Sequence, residues 1–228
     1  MSKGSASLTL EDPEVYDEEI RRFVPYYDEM IDSILDCLPR LHSVDSILEL
    51  GCRTGDLSLR LPASGFCRRL VAVDRANEMV IVCRSRLGKY SRQVEVVQAN
   101  PCEFSRANSF DYVLANLSLH CAEFAEQKKM ACRNVFESLK PGGIFSFSVM
   151  LTTESRESRE KIRSLWERDV IENGVSREEL EEWQTLNKKN RPAVAPRHWL
   201  SCLKKVGFEN CDFVWCETIF GTLRARKP

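Results

Sequence analysis

The sequence predicts an α/β fold: a mostly parallel, seven-stranded sheet with helices on both faces and a C-terminal antiparallel hairpin. Two observations predict it. Short apolar runs between residues 46 and 149 alternate with helical patterns, which is typical of parallel strands joined by right-handed crossovers. Two further apolar runs close the chain with no helix between them, which is typical of a hairpin.

The composition narrows the class of protein. The chain has 228 residues, 33 Lys and Arg against 34 Asp and Glu, and 43% hydrophobic residues. These values exclude a disordered chain and fit one domain with a full core. The near-zero net charge argues against a nucleic-acid partner. No apolar run approaches the ~18 residues of a membrane span, and no signal peptide is readable. We therefore expect a cytoplasmic protein without a membrane partner, as a monomer or homodimer.

The ten cysteines do not indicate a disulfide scaffold. They are scattered through apolar segments, no C-x-x-C pair occurs, and only three histidines are present. Buried free cysteines behave as small hydrophobic residues. The pattern favours reduced thiols in a cytosolic protein and predicts no metal site.

The N-terminal segment predicts a helix over residues 12–38. Asp12 and Pro13 are typical of a helix start, and apolar residues then recur at helical spacing. Pro25 marks a break within it, since proline lacks the N–H that a helix interior needs.

The central segment predicts the parallel strands. They cover residues 46–50, 70–74, 94–98, 110–115 and 144–149, with helical patterns at 77–87 and 122–139. Pro141, Gly142 and Gly143 predict a turn before the fifth strand. Because ligands of open α/β sheets bind at the carboxyl ends of the strands, that edge is where a site is expected.

The C-terminal third departs from this alternation. Residues 152–190 are polar and carry two helical patterns, one around Trp166 and one around Trp183. They predict either an insertion that lies over the sheet's carboxyl edge or a solvated helix pair. These tryptophans, with Trp199, line an acceptor pocket or pack a core. A helix over 196–206 and a hairpin of residues 211–217 and 219–226 complete the chain.

The most informative segment runs from the first strand into a glycine-containing turn, Ile47-Leu-Glu-Leu-Gly-Cys-Arg-Thr-Gly-Asp56. Such a turn before a helix is where a nucleotide-like ligand meets a sheet. The dinucleotide pattern G-x-G-x-x-G fails, because Arg53 and Asp56 occupy two of its glycine positions. A phosphate-binding P-loop fails too, since no Gly-Lys-Ser/Thr follows.

This segment resembles the first motif of the class I S-adenosylmethionine-dependent methyltransferases, an acid followed by alternating glycines. Further segments agree with the family in the same order. Asp74 ends the second strand, and Gln98-Ala99-Asn100 ends the third strand. Ser109 to Asn116 matches the family's fourth strand, and Leu139 to Gly143 matches the turn before its fifth strand. The resemblance implies a Rossmann-like methyltransferase fold and S-adenosylmethionine as cofactor, transferring a methyl group to a small-molecule acceptor.

The resemblance also implies a set of cofactor-binding residues. In that family the first-motif acid orients the loop and the ligand's ammonium, the acid after the second strand binds the ribose hydroxyls, and the third strand ends beside the adenine amine. Arg75 and Met79 either flank the adenine or are a solvated arginine and a core methionine. The full set is Glu49, Gly51, Cys52, Gly55, Asp74, Arg75, Met79, Ala99, Asn100 and Asn116.

The residues expected to handle the acceptor come from two places. The N-terminal stretch is similar to that of the carboxy-S-adenosylmethionine synthase branch, and as a lid it would offer Tyr16, Arg21, Tyr26 and Tyr27 to the substrate. Arg21 would then favour a carboxylate; ordinary helix packing explains the same residues. His120 is a candidate general base near the expected reaction centre, or a structural histidine.

Two departures from the family pattern leave the activity open. Arg53 replaces the middle glycine of the first motif, and Asn100 replaces an acid. The arginine could crowd and repel the cofactor's sulfonium, bind its carboxylate, or point to solvent. Asn100 can still accept a hydrogen bond from the adenine amine.

The predicted organisation is a single methyltransferase domain, 1–228. Its parts are a lid helix (12–40), a cofactor-binding core (45–150), a helical insertion (152–192), and a final helix and hairpin (196–228). Two other functions stay open: a non-catalytic S-adenosylmethionine-binding sensor or scaffold, and an enzyme related to tRNA modification that makes or uses an S-adenosylmethionine derivative.

Overall fold

The structure is a computed structural model. It describes residues 12–39, 44–63, 67–119, 125–190 and 193–228.

A seven-stranded sheet forms the centre of the molecule, with strand order β3-β2-β1-β4-β5-β7-β6. The first five strands run parallel, and β7 is antiparallel to both β5 and β6. The predicted sheet and its C-terminal hairpin are therefore confirmed. The strands are β1 (Val44–Leu50), β2 (Cys67–Asp74), β3 (Val94–Gln98), β4 (Phe110–Asn116), β5 (Leu139–Met150), β6 (Glu209–Glu217) and β7 (Phe220–Arg226).

Helices connect the strands and cover the sheet. They are α1 (Tyr16–Phe23), α2 (Tyr27–Leu35), α3 (Asp56–Ala63), α4 (Asn77–Arg86), α5 (Ala125–Ser138), α6 (Arg156–Glu172), α7 (Arg177–Asn190) and α8 (Pro196–Val206), with a short 3₁₀ helix at Gly88–Tyr90. Gly207 ends α8 with a φ of +118°, a conformation that a glycine cap adopts without strain. No helix in the described ranges is both long and apolar enough to cross a membrane.

The break predicted at Pro25 is confirmed, since the structure divides the predicted lid helix into α1 and α2; the helical part begins at Tyr16, later than the predicted residue 12. The chain leaves the helix at Val24, whose ψ is 80°, and Pro25 disfavours a helical conformation in the residue before it. Tyr27 N–H then bonds to the Val24 carbonyl at 3.0 Å and begins the next helix. The break lets α1 and α2 take different directions over the sheet.

The predicted turn at Pro141 to Gly143 is wrong in extent. β5 already starts at Leu139, which pairs with Phe110, and the pairing shifts register before Ile144 pairs with Tyr112. Gly142 has a φ of +81°. The segment is thus an irregularity within the strand, of the kind that glycine permits without strain.

The strands of the sheet centre are buried on both faces. Leu48 in β1, Val71 in β2, Val113 in β4 and Phe145 in β5 are fully buried, as expected when helices cover a parallel sheet. The carboxyl ends of β1 to β5 meet at one edge because these strands are parallel. α1, α6, α7 and the β6–β7 turn lie at this edge.

Candidate functional site

A cleft of about 250 Å³ lies at the carboxyl ends of β1 to β4. Its lining comes from the segments that follow β1, β2, β3 and β4, and from α4 and α5. Its lining residues are Gly51, Arg53, Asp74, Arg75, Ala76, Glu78, Met79, Asn100, Pro101, Cys102, Glu103, Ser118, Gln127 and Met130. Five residues of the sequence-predicted cofactor set are among them: Gly51, Asp74, Arg75, Met79 and Asn100.

Gly51 forms the floor of the cleft because no larger residue fits there. Its φ is +79°, and a Cβ atom would lie 2.2 Å from the Cβ of Ser118. Its N–H bonds to the Val73 carbonyl at 2.7 Å, while the Ser118 hydroxyl bonds to the Leu50 carbonyl at 2.6 Å. The ends of β1, β2 and β4 are thereby held together, and a ligand can approach the main chain closely.

Asp74 presents a fixed carboxylate to the cleft. The side chain is buried; one oxygen accepts the Arg53 N–H at 2.9 Å, and the other accepts the Ala76 N–H at 3.0 Å. A carboxylate has about four acceptor positions, so each oxygen keeps capacity for a further donor. Two hydroxyl groups on neighbouring carbons are the donors that such a carboxylate suits.

The Arg53 side chain lies between the cleft and the lid. Its backbone is left-handed, with φ +53°, which is the conformation that the family's glycine would favour. Its guanidinium lies over the Tyr16 ring of α1, 5.4 Å from the ring centre, a distance typical of a cation–π contact. Arg53 lines the cleft, but the contact with Tyr16 keeps its guanidinium against α1.

The side-chain amide of Asn100 binds residues of its own turn. Its oxygen accepts the Cys102 N–H at 3.1 Å, and its nitrogen donates to Glu103 at 2.8 Å. Glu103 itself lines the cleft. The family pattern predicts an acid at position 100. Here Asn100 binds Glu103, so a carboxylate lies at the cleft three residues later in the sequence.

Asn116 ends β4 with a buried amide. Neither its oxygen nor its nitrogen has a hydrogen-bond partner within the described part of the chain. Such an orphaned group costs about 1–3 kcal/mol, and a bound ligand with donors and acceptors would satisfy it. His120, the predicted catalytic residue, lies outside the described residues.

Four further members of the predicted cofactor set, Glu49, Cys52, Gly55 and Ala99, are not among the residues that line the cleft. Glu49 is buried and hydrogen-bonded to the Ser58 hydroxyl, and burial raises its pKa to about 8. Cys52 is buried. A Cβ on Gly55 would lie 2.9 Å from the Cys83 sulfur, so this glycine lets α4 pack closely. The Ala99 N–H bonds to the Asp74 carbonyl at 2.9 Å.

The predicted substrate residues of the lid have partners within the protein. Arg21 binds Asp56 at 2.6 Å and Asp28 at 2.8 Å. Tyr26 bonds to Asp169 of α6 at 2.5 Å, and Tyr16 and Tyr27 are buried. The expectation that Arg21 attracts a substrate carboxylate is therefore not supported, because two carboxylates already neutralise it.

Sequence reasoning missed Asp17, which connects α1 to the loop of residues 51–55 that follows β1. One of its oxygens accepts the Thr54 hydroxyl at 2.5 Å, and the other accepts Arg86 of α4 at 2.6 Å. Arg86 also reaches the Thr54 carbonyl at 3.2 Å. These partners are far apart in the chain, so no local pattern signals the contact.

Comparison with known proteins agrees with this geometry. Residues 47–143 match the family model described as a methyltransferase domain. This segment is similar to the domain of the class I S-adenosylmethionine-dependent methyltransferases. It spans the strand ends that form the cleft. The predicted fold is confirmed, and the similarity supports the predicted family and cofactor.

The chain has relatives that are similar over most of its length. The carboxy-S-adenosyl-L-methionine synthase of Nautilia profundicola is 23% identical over 93% of this chain and 91% of its own length. That of Shewanella sediminis is 28% identical over 88% of this chain and 84% of its own. Among solved structures, the N-methyltransferase NodS from Bradyrhizobium japonicum, in complex with S-adenosyl-L-homocysteine, has a TM-score of 0.63 at 19% identity, covering 90% of this chain and 88% of that one.

Proposed function

We propose that this chain binds S-adenosylmethionine in the cleft and transfers its methyl group to a small-molecule acceptor. The observation that carries the proposal is Asp74, a buried carboxylate aligned by two main-chain N–H groups beside a glycine that leaves room for a ligand. The two N–H groups fix the orientation of the carboxylate, so its side chain has little freedom left to lose on binding a ligand.

The residues of the cleft have distinct roles in this proposal. S-adenosylmethionine supplies an activated methyl group, so no covalent enzyme intermediate is needed. Asp74 accepts hydrogen bonds from the ribose hydroxyls, and the main chain at Gly51 borders the ligand. Glu103, held by Asn100, faces the adenine amine. The buried amide of Asn116 binds the polar amino-acid portion. Met79 and Arg75 flank the adenine.

The lid contributes by position and by excluding water. Asp17 and Arg21 tie α1 to the loop and to α3, and the Arg53 guanidinium rests on Tyr16. A closed, water-poor site strengthens the electrostatic contacts inside it and aligns the acceptor with the methyl group.

A second candidate function is the synthesis or use of an S-adenosylmethionine derivative. The observation that favours it is the extent of the similarity to the carboxy-S-adenosyl-L-methionine synthases, which reaches beyond residues 47–143 to about nine-tenths of the chain. Most of the chain outside residues 47–143 therefore belongs to the shared part.

Calorimetric titration tests the proposal. We expect S-adenosylmethionine and S-adenosylhomocysteine to bind with micromolar affinity, and Asp74→Ala to weaken both by about 100-fold, since two charge-assisted hydrogen bonds are lost. Asp45→Ala is the matched control, because Asp45 is an exposed residue near the opposite end of β1. Equal binding by both variants would contradict the assignment of the cleft.

Mass spectrometry of the products then separates the candidate functions. A methylated acceptor with S-adenosylhomocysteine supports methyl transfer, whereas a heavier S-adenosylmethionine derivative supports the second candidate. Tight cofactor binding with neither product across the acceptors tested would favour a sensor or scaffold.

A further inference from the structure

A second cavity, of about 360 Å³, opens at the same edge of the sheet as the cleft. It lies between the end of β5, the inserted helices α6 and α7, and the β6–β7 turn. This volume falls within the range of pockets that hold small organic ligands. We call it the insertion pocket.

Apolar side chains form most of the wall of the insertion pocket. Met150 at the end of β5, Ile162 and Trp166 on α6, Trp183 on α7 and Ile219 in the hairpin turn all line it. The two indoles are tilted against each other with ring centres 5.3 Å apart. Broad, flat apolar walls of this kind favour an aromatic ligand.

The charges at the insertion pocket are of one sign. Arg159 and Arg163 line it, and no Asp or Glu is among the described lining residues. Arg163 binds Glu167 at 2.6 Å. Arg159, by contrast, bonds only to the main-chain carbonyls of Thr153 and Glu154 within the described part of the chain, so no carboxylate there neutralises it.

The hairpin turn adds a polar atom to the apolar wall. The Thr218 hydroxyl oxygen is buried at the insertion pocket and has no hydrogen-bond partner among the described residues. Its backbone is left-handed, with φ +45°, which is uncommon for a threonine. A ligand with a polar substituent would satisfy this hydroxyl.

We propose that the insertion pocket holds the acceptor, and that the acceptor is an aromatic molecule with an anionic substituent. This inference rests on the proposed methyl transfer at the neighbouring cleft. The aromatic ring lies among Trp166, Trp183 and Ile162, and the anionic group faces Arg159, whose planar guanidinium suits a carboxylate. A cationic amine is disfavoured, because arginines are the only ionised groups that line the described pocket.

Three probes of equal shape test the charge preference by calorimetry: naphthoate, naphthylmethanol and naphthylmethylamine. We expect naphthoate to bind about tenfold more tightly than the alcohol, in keeping with one charge-assisted contact, and the amine to bind most weakly. Arg159→Gln should remove the advantage of naphthoate and leave the alcohol unchanged. Equal affinity for the three probes, or an advantage that survives Arg159→Gln, would overturn the inference.

Two further variants complete the design. Arg156→Gln is the matched control, since Arg156 lies one turn earlier on α6 and pairs with Glu160; it should leave all three affinities unchanged. Ile162→Trp places a larger side chain in the insertion pocket and should abolish binding of every probe, with folding checked by thermal denaturation. Probe binding that persists in a folded Ile162→Trp protein would place the probes elsewhere.

A parallel titration with S-adenosylhomocysteine keeps the two proposals apart. If S-adenosylhomocysteine binds but naphthoate does not, the insertion-pocket inference fails alone. If naphthoate shows the expected preference but S-adenosylhomocysteine does not bind, the proposed methyl transfer fails, and with it the identification of the pocket's ligand as an acceptor.

Discussion

The cleft and the insertion pocket share one edge of the sheet but are built in opposite ways. The cleft is polar, and its buried carboxylate, Asp74, is held by the main-chain N–H groups of Arg53 and Ala76, which lie in the continuous segment from β1 to α4. The insertion pocket is apolar and draws its walls from β5, α6, α7 and the hairpin. A common cofactor demands a fixed local geometry, whereas an acceptor site can vary with the surrounding helices.

This difference predicts that the two regions can be disturbed separately. The cleft depends on close main-chain approach and hydrogen bonds, so adding or removing a few atoms in the loop after β1 should change cofactor binding. The insertion pocket depends on aromatic packing between elements, so large side chains should control it. Each prediction below measures one region while the other serves as a reference.

The largest effect is expected at the contact between the lid and the insertion. Phe23 is buried, stacks on Trp183 with ring centres 5.6 Å apart, and offers its carbonyl to the Trp166 indole at 3.3 Å. Phe23→Ala should cost about 3–5 kcal/mol of unfolding free energy, measured by urea denaturation. Tryptophan fluorescence should shift, and S-adenosylhomocysteine binding should persist where the protein is folded. Loss of cofactor binding in step with the fluorescence change would show that the regions are not separable.

Gly51→Ala should disturb the cleft and leave the insertion pocket intact. Its Cβ would meet the Ser118 Cβ at 2.2 Å on a backbone with φ +79°, so we expect a loss of about 3 kcal/mol and no detectable cofactor binding, with fluorescence of the folded protein unchanged. Gly174→Ala is the control, because that glycine has φ +89° but nothing within 4 Å of the added atom; only the conformational cost of about 1 kcal/mol should remain. Equal losses of unfolding free energy in the two variants would mean that the close contact with Ser118 does not contribute to the effect.

The same contrast explains what the sequence predicts well. β3 is found where the alternation predicts it, at Val94–Gln98, and α8 at Pro196–Val206, because local propensity and burial agree there. The break at Pro25 is also predicted, because proline disfavours a helical conformation in the residue before it, although the first helix begins at Tyr16 and not at residue 12. The predicted turn near Gly142 fails because strand pairing with Phe110 extends β5 across it. Tertiary pairing of this kind leaves little trace in a single sequence.

In the candidate site, too, residues set by local sequence are predicted and residues set by tertiary contacts are not. Asp74 and Gly51 are identified by motif, since their neighbours in sequence are also their neighbours in space. The sequence analysis does not identify Glu103, because the family pattern predicts an acid at position 100. Asn100 occupies that position and binds Glu103, three residues later. Arg159 is missed because nothing near it in sequence indicates a pocket made by residues from four elements.

Glu49 should give the cleft a pH dependence of its own. Burial raises its pKa from 4.5 to about 8, so between these values the folded state keeps a proton that the unfolded state has lost. Stability therefore falls as the pH rises through this window. Glu49→Gln should remove the effect, and its unfolding free energy relative to the natural protein should rise by on the order of 2 kcal/mol between pH 5 and pH 8.

Glu95 provides the control of opposite sign. Hydrogen bonding to Arg106 lowers its pKa to about 2, so its stabilisation is present above its usual pKa and is lost only as the pH falls towards 2. Glu95→Gln should therefore differ from the natural protein by a constant amount between pH 5 and pH 8. A constant difference for Glu49→Gln as well would show that the buried carboxyl is already ionised at pH 5.

The smallest effect is expected at Arg53, which lines the cleft and contacts the lid. Removing its charge should favour S-adenosylmethionine, a sulfonium cation, over the neutral thioether S-adenosylhomocysteine, because like charges repel. We expect the ratio of the two affinities to rise by about 3-fold to 10-fold, or about 1 kcal/mol. Two variants separate the causes. Arg53→Gln removes the charge and keeps a side chain on the left-handed backbone of φ +53°, whereas Arg53→Gly also relieves that strain and the contact with Tyr16. An equal rise in both assigns the effect to charge, and a rise in Arg53→Gly alone assigns it to loop geometry. No change in either would show that Tyr16 holds the guanidinium too far from the ligand for its charge to matter, and the substitution of the family's glycine would then be neutral for the cofactor.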